Sequence, residues 1–124
     1  MNENGYEVRR RLDTKVFLDG GEKVLRYFTT DKILFSSSTL APGQASGRDP
    51  GHAGAHEIGY CLEGEIVMQF GDGAEREFVQ LEAGDAVLIH ESVPHIVFNP
   101  GPGQARMTWS IAPSLGRPQF ADAE

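Results

Sequence analysis

The chain has 124 residues, a formal net charge of −7, 40% hydrophobic residues and 23% charged residues. This length and balance are typical of one globular domain that buries its own core. The acidic charge argues against nucleic-acid binding, and no apolar run approaches the ~18 residues that a membrane-spanning helix needs.

Short runs rich in β-branched and aromatic residues, separated by 15 glycines and 7 prolines, predict an all-β chain. Many short strands at regular spacing are typical of a sandwich or barrel. We expect one domain over residues 1–124, with an N-terminal arm or strand at 1–14 and a tail at 113–124. In chain order, the predicted strands are Lys15–Leu18, Val24–Thr29, Ile33–Leu40, Glu57–Leu62, Glu65–Phe70, Arg76–Leu81, Ala86–His90, His95–Asn99 and Arg106–Ala112.

The stretch Ala41–Ala55 is a predicted loop that is rich in glycine and proline. Loops of this length inside a compact domain are often functional. Arg48 lies in this loop, where its guanidinium could bind an anionic substrate in a bidentate contact. The alternative is that Arg48 is simply solvated.

Alternation along two predicted strands assigns side chains to faces. Glu57, Gly59 and Cys61 share one face of their strand, whereas His56 lies on the other. Trp109 shares a face with two other apolar residues, so it is interpreted first as core packing and secondly as part of a pocket.

Cys61 is the single cysteine, so the chain cannot form an internal disulfide. A reducing compartment is the natural environment for such a protein. The first six residues are polar and do not resemble a signal peptide. We therefore expect a cytoplasmic protein that associates with neither membranes nor nucleic acids.

The four histidines, His52, His56, His90 and His95, all fall within one segment and adjoin the ends of predicted strands. Glu57 lies in the same segment. Imidazole nitrogens combined with a carboxylate suit Fe, Mn, Co, Ni, Cu or Zn. A site for a divalent transition metal is therefore a serious alternative to surface or core histidines.

The segment from His52 to Gly64 places four residues between His52 and Glu57 and six between Glu57 and Gly64. This spacing resembles the first motif of the cupin superfamily, from the second histidine of its His-x-His onward. Pro50 occupies the position of the first histidine, and its side chain cannot bind a metal.

The segment from Gly84 to Asn99 resembles the second cupin motif, with Gly84, His95 and Asn99 in register. His90 stands where that motif has a proline, and Ser92 stands where it has its second glycine. Together the two motifs and their spacer cover residues 50–99. The resemblance implies a cupin-type jelly-roll β-barrel, also called a double-stranded β-helix.

The resemblance also implies that His52, Glu57 and His95 bind one divalent transition metal. Two histidines and one carboxylate form a facial triad that leaves positions open for substrate and O₂. 3-Hydroxyanthranilate dioxygenase and hydroxypropylphosphonate epoxidase, both cupins, use this kind of ligand set. Fe²⁺ is favoured on this ground, although Mn²⁺, Ni²⁺, Zn²⁺, Co²⁺ or Cu²⁺ would fit the same ligands.

His56 and His90 are the predicted catalytic proton carriers, because histidine titrates near neutral pH. Either could instead be an additional metal ligand. His90 could also hydrogen-bond to a metal ligand, or it could lie at the surface. Beyond Arg48, weaker candidates for the walls of a substrate pocket are Phe35, Met68 and Trp109.

The expected function is that of a metal-dependent enzyme, most simply an oxygenase, that acts on a small organic molecule. A metal-dependent isomerase or lyase is an alternative within the same site. A non-catalytic binding module is the second alternative, and a site that has lost its metal is the third. Cupins of this size commonly pair, so we also expect a homodimer.

Overall fold

The computed structural model describes residues 5–114, which fold into nine β-strands and two short 3₁₀ turns. Each predicted strand is present, with ends displaced by at most two residues, so the prediction of an all-β jelly-roll barrel is confirmed. The turns are Arg11–Asp13 and Gly73–Glu75. The strands are β1 Lys15–Asp19, β2 Glu22–Thr29, β3 Leu34–Leu40, β4 His56–Glu63, β5 Glu65–Phe70, β6 Glu77–Glu82, β7 Ala86–Ile89, β8 His95–Phe98 and β9 Ala105–Ala112.

The chain ends are described only in part. Residues 5–10 of the expected N-terminal arm contain no strand, and the 3₁₀ turn Arg11–Asp13 separates them from β1. Residues 1–4 and most of the expected tail, 115–124, lie outside the described range. The expected division of the chain ends into arm and tail therefore stays a prediction.

The strands form two antiparallel sheets. The larger sheet has the order β1-β2-β3-β9-β4-β7, and the smaller has the order β6-β5-β8. Strands close in sequence, such as β5 and β6, pair as hairpins, whereas β9 is inserted between β3 and β4. This insertion brings β9, the last described strand, into the centre of the larger sheet.

The core lies between the two sheets and follows the alternation read from the sequence. In β4 and β9, every second residue is buried, as predicted for the faces that carry Cys61 and Trp109. Ile66 and Met68 of β5 are completely buried and complete the core from the smaller sheet. Burial of these apolar side chains is the main favourable contribution to folding.

A cavity of about 640 Å³ opens beside this core. Its walls come from the inner faces of β1, β2, β3, β4 and β9, together with β8 and the long loop before β4. This volume is typical of a site for a small organic molecule. Within residues 5–114, no helix has the length and apolar character that crossing a lipid bilayer requires.

Candidate metal centre

The long loop before β4 is fastened to the first residue of β8. The backbone N–H of Asp49 donates to the carbonyl oxygen of His95 at 2.9 Å, and the N–H of His95 donates to the carbonyl of Asp49 at 2.8 Å. Gly51 has φ +88°, and a Cβ there would lie 2.5 Å from the backbone nitrogen of Val93. Only glycine permits this conformation and this close approach. The loop is thereby held against the smaller sheet.

Strand alternation turns Glu57 inward, and its side chain is almost completely buried between β7 and β9. On β8, His95 is also buried, and its Nδ1 lies 2.9 Å from the carbonyl oxygen of Val93. A hydrogen bond donated from Nδ1 directs Nε2 toward the cavity, an arrangement common among metal-binding histidines. The two sheets thus present Glu57 and His95 to one another.

Four possible ligand atoms form a closed ring of neighbouring contacts. His52 Nε2 lies 3.3 Å from Asp49 Oδ2 and 3.4 Å from Glu57 Oε1. His95 Nε2 lies 3.5 Å from Asp49 Oδ2 and 3.4 Å from the same oxygen of Glu57. One oxygen from each carboxylate therefore lies between the two imidazoles.

These separations are close to those of donor atoms that share one cation. Donors held about 2.1 Å from one ion, at bond angles between those of an octahedron and a tetrahedron, are about 3.0–3.4 Å apart. Asp49, Glu57 and His95 each offer a ligand atom, all within 4.8 Å of one another, and could hold a metal ion. Glu57 Oε1 makes no hydrogen bond of good geometry within the described residues, although it is buried. A cation would satisfy this oxygen.

The charges of the four groups depend on one another. Burial disfavours the charged form of His52, but contacts with Asp49 and Glu57 outweigh burial and raise the pKa of His52 to about 9. Burial likewise opposes the charge of His95, whose pKa is nevertheless raised by Glu57. Burial opposes ionisation of both carboxyls, yet the imidazoles lower the pKa of Asp49 and of Glu57. Without an ion, contact between the imidazoles and the carboxylates therefore favours the charged form of all four groups.

The three residues predicted as metal ligands, His52, Glu57 and His95, are brought together. Asp49 was not predicted, although its carboxylate lies at the same point. The sequence did contain a signal for Asp49. Pro50 occupies the position of the first motif histidine, and Asp49 directly precedes it. The contact between Asp49 and β8 is long-range, so local patterns could not reveal it.

The two histidines predicted as proton carriers lie elsewhere. His56 and His90 are exposed on the outer face of the larger sheet, and their ring centroids are 5.0 Å apart. Neither residue lines the cavity that contains the four donors. Strand alternation explains this position for His56, which directly precedes Glu57 and must point to the opposite face.

The predicted pocket residues divide into two groups. Arg48 and Trp109 line the cavity, and Arg48 also forms a bidentate ion pair with Asp72 at 2.7 and 3.0 Å. Met68 is packed in the core, and Phe35 contacts Tyr27 at 5.9 Å between ring centroids; neither lines the cavity.

Comparisons with known proteins agree with this architecture. The family model of the cupin domain matches residues 36–111, which include all four donors. No curated protein sequence is significantly similar to the chain.

Solved structures with this fold include proteins of different activities. An Fe(II) form of HppE has a TM-score of 0.77 and 21% identity, and the match covers 90% of this chain and 62% of that one. Hydroxypropylphosphonic acid epoxidase from S. wedmorenis has a TM-score of 0.74 and 22% identity, with coverages of 89% and 60%. A predicted oxalate decarboxylase from Thermotoga maritima has a TM-score of 0.68 and 24% identity, with coverages of 86% and 98%. The chain thus spans about three fifths of the chains in the first two structures, and these likenesses concern the fold alone.

Proposed function

Because this chain belongs to the cupin domain family, we propose that it is a metal-dependent enzyme acting on a small organic molecule. Asp49, His52, Glu57 and His95 would hold one divalent transition metal ion. The observation that carries this proposal is the convergence of four donor atoms whose neighbours are separated by 3.3–3.5 Å. A cavity large enough for an organic ligand begins at these donors.

Fe²⁺ is the proposed metal, and Mn²⁺ is the next choice because two carboxylates increase the share of oxygen ligands. Such an ion would supply redox chemistry with O₂ and Lewis-acid polarisation of a substrate oxygen. The protein would contribute a donor set held by the loop, β4 and β8. It would also contribute a cavity wall of mixed polarity, whose apolar part includes Trp109. The proposed reaction is oxygenation of the organic molecule.

A metal-dependent lyase or isomerase is the second candidate. The observation in its favour is the fold likeness to a protein described as a predicted oxalate decarboxylase, which the chain matches over 98% of that protein's length. Consumption of O₂ in proportion to product separates the two, because a lyase or isomerase would form product without consuming O₂ stoichiometrically.

The test of the metal site is elemental analysis of protein purified without chelators and then reconstituted with Fe²⁺ or Mn²⁺ under anaerobic conditions. We expect about one ion per chain in the wild type, and none in His95→Ala, because His95 supplies a donor that no neighbour can replace. His56→Ala is the matched control, since this exposed histidine lies outside the cavity, and it should retain the ion.

A wild-type protein that holds less than about a tenth of an ion per chain after reconstitution would refute the metal centre. If the ion binds but no substrate is turned over, the chain would be a metal-containing binding module, which ligand recovered unchanged would show. A homodimer and a cytoplasmic location remain predictions from the sequence. Sedimentation analysis would show whether the chain forms a dimer.

A further inference from the structure

The outer face of the larger sheet carries two adjacent rows of side chains without charge. The strand registers connect one outward-facing residue of each strand into a row that crosses all six strands. From β1 to β7, its members are Val16, Leu25, Ser37, Thr108, Tyr60 and Ala86. The next row crosses the last four strands through Phe35, Ser110, Ile58 and Leu88. We call these residues together the uncharged face.

Apolar side chains of the uncharged face are open to solvent. Val16, Ile58 and Leu88 are 54%, 49% and 51% exposed, respectively. In an antiparallel sheet that faces water, the outward positions are normally polar, whereas β4 and β7 carry isoleucine, tyrosine and leucine there. Single exposed apolar side chains are common, but a contiguous exposed set across neighbouring strands marks an interaction surface.

Charged and titratable side chains border the uncharged face but do not enter it. On one side, the adjoining row contains Lys23, Arg106 and Glu63. On the other side lies the exposed pair of His56 and His90. None of the 18 aspartates and glutamates belongs to the face, although they give the chain its net charge of −7. An apolar centre inside a polar rim is the composition typical of protein–protein interfaces.

The charge of the chain favours a second copy as the occupant of this face. Two copies of net charge −7 repel each other where their acidic surfaces meet, and an uncharged face lets them approach without bringing like charges into contact. An anionic membrane would repel the chain, and the two rows contain no lysine or arginine to bind head groups. A basic partner would be attracted to the acidic surfaces and would gain nothing electrostatic from this face.

The uncharged face is also complementary to itself, as a two-fold dimer requires. Its centre consists of Ser37, Thr108 and Ser110 on β3 and β9, and its two ends are apolar. A two-fold axis through the centre places hydroxyls opposite hydroxyls and apolar ends opposite apolar ends. Hydroxyl groups both donate and accept hydrogen bonds, so they can pair with their own copies.

The sheet is large enough for a stable interface. Six strands spaced about 4.8 Å apart and the seven residues of β3 at about 3.4 Å each give a surface of about 29 by 24 Å. Packing two such surfaces together would bury about 700 Å² on each copy, or about 1,400 Å² in total. Specific, stable interfaces bury about 1,200–2,000 Å².

We propose that the chain forms a two-fold dimer in which the uncharged faces of two copies pack against each other. Glu57 and the cavity lie on the opposite side of this sheet, so the dimer would leave the mouth of the candidate metal centre accessible. The inference does not rest on the proposed function, because the face contains none of the four donors.

The experiment is sedimentation equilibrium of the full chain at protein concentrations between about 0.1 and 100 μM, which spans the affinity range of ordinary specific dimers. We expect the wild type to be a dimer. Ile58→Asp should raise the dissociation constant of the dimer at least about a hundredfold, since a two-fold interface contains the substitution twice and each unpaired buried charge costs about tenfold or more. Leu88→Lys, on the neighbouring strand, should have the same effect with a charge of the opposite sign.

Phe78→Asp is the matched control. Phe78 is an apolar residue at least as exposed as Ile58, but it lies on β6 of the smaller sheet. Its substitution should leave the dissociation constant unchanged. His95→Ala, which removes a proposed metal ligand, should also remain dimeric. Far-UV circular dichroism verifies that each variant is folded, and Leu88→Lys decides the question if Ile58→Asp does not fold.

Three results would overturn the inference. The first is a wild type that is monomeric at about 100 μM, which is weaker than specific dimers of this interface area. The second is a dimer that Phe78→Asp dissociates while Ile58→Asp and Leu88→Lys do not. The third is a monomeric wild type whose shortened form, residues 1–114, dimerises, because the segment 115–124 of the same chain would then be the occupant of the face.

Discussion

Asp49 and His95 exchange two backbone hydrogen bonds, of 2.9 and 2.8 Å, and their side chains approach within 3.5 Å, between Asp49 Oδ2 and His95 Nε2. The backbone pair fixes the position of the loop, and the side-chain approach adds a second carboxylate to the three residues that the sequence indicated. Asp49 Oδ1 also accepts a hydrogen bond from the N–H of Gly51 at 2.9 Å. This contact leaves Oδ2 directed toward the imidazoles.

Asp49→Ala should weaken metal binding by more than about tenfold, because it removes one of four donors, and loss of a group that only supports a ligand already costs about that much. Competition with a chelator of known affinity measures the change. Asp72→Ala removes an exposed aspartate that pairs with Arg48 and should leave metal affinity unchanged. Equal affinities for Asp49→Ala and the wild type would show that this carboxylate is not a ligand.

Metal affinity should rise with pH and level off above about pH 9. A metal must displace the protons of the imidazoles, and the pKa of His52 is raised to about 9 in the metal-free site. Each displaced proton contributes up to about tenfold in apparent affinity per pH unit below that pKa. Competition titrations at several pH values, combined with measured proton release, test this slope. An affinity independent of pH between 6 and 9 would contradict the charge state inferred for the empty donor set.

Glu22→Gln should stabilise the chelator-treated protein at pH 8. The pKa of Glu22 is raised from 4.5 to about 7 on folding, so the folded state binds the proton more tightly than the unfolded state. Stability is therefore lost as the pH rises from about 4.5 to 7, and the loss persists above pH 7. Removing the ionisable group should recover about 1–3 kcal/mol at pH 8.

Urea denaturation at pH 5 and at pH 8 measures this effect of Glu22. The difference between the variant and the wild type should be much smaller at pH 5, where the buried carboxyl is protonated in the folded state. Glu77→Gln, at an exposed position of β6, should show no comparable dependence on pH. A larger gain in stability for Glu22→Gln at pH 5 than at pH 8 would contradict the raised pKa of Glu22.

Gly59→Ala should destabilise the domain by about 1–3 kcal/mol, because the interior has no room for another methyl group. A Cβ at Gly59 would lie 2.5 Å from Cζ3 of Trp109 and 3.2 Å from Cε of Met107. The indole would have to move, and its Nε1–H donates to Ser38 Oγ at 2.9 Å. Thermal unfolding followed by Trp109 fluorescence measures the loss of stability, and the emission of the folded variant reports the displacement of the indole.

Gly103→Ala is the control for this crowding, since a Cβ at Gly103 would have no neighbour within 4 Å. It should leave the unfolding temperature nearly unchanged. If the two alanine variants are equally stable, the packing of Trp109 against β4 is looser than described.

The strands could be predicted from the sequence because their signals are local. Turn residues such as Gly64 and Gly84 separate short apolar runs, and alternation assigned Glu57 to the inner face. The position of β9 between β3 and β4 depends on contacts between distant segments, and the local pattern contains no information about it. The resemblance to the cupin motifs supplied what local patterns could not, including the meeting of His52 with His95.

Parts of the site depended on orientations that the sequence left ambiguous. In β2, apolar residues occupy both faces, so alternation did not reveal that Glu22 and Arg26 point inward. The role of proton carrier was assigned to His56 and His90 from their ordinary titration range. The structure places both histidines outside the cavity.

The donors come from both sheets, since Glu57 belongs to the larger and His95 to the smaller. A bound ion would therefore act as a cross-link between the layers, and its binding free energy would add to the resistance of the fold to unfolding. Substitutions that loosen the packing between the layers should then lower occupancy even when they lie far from the four ligands. Metal supply would in this way determine the lifetime of the folded protein as well as its activity.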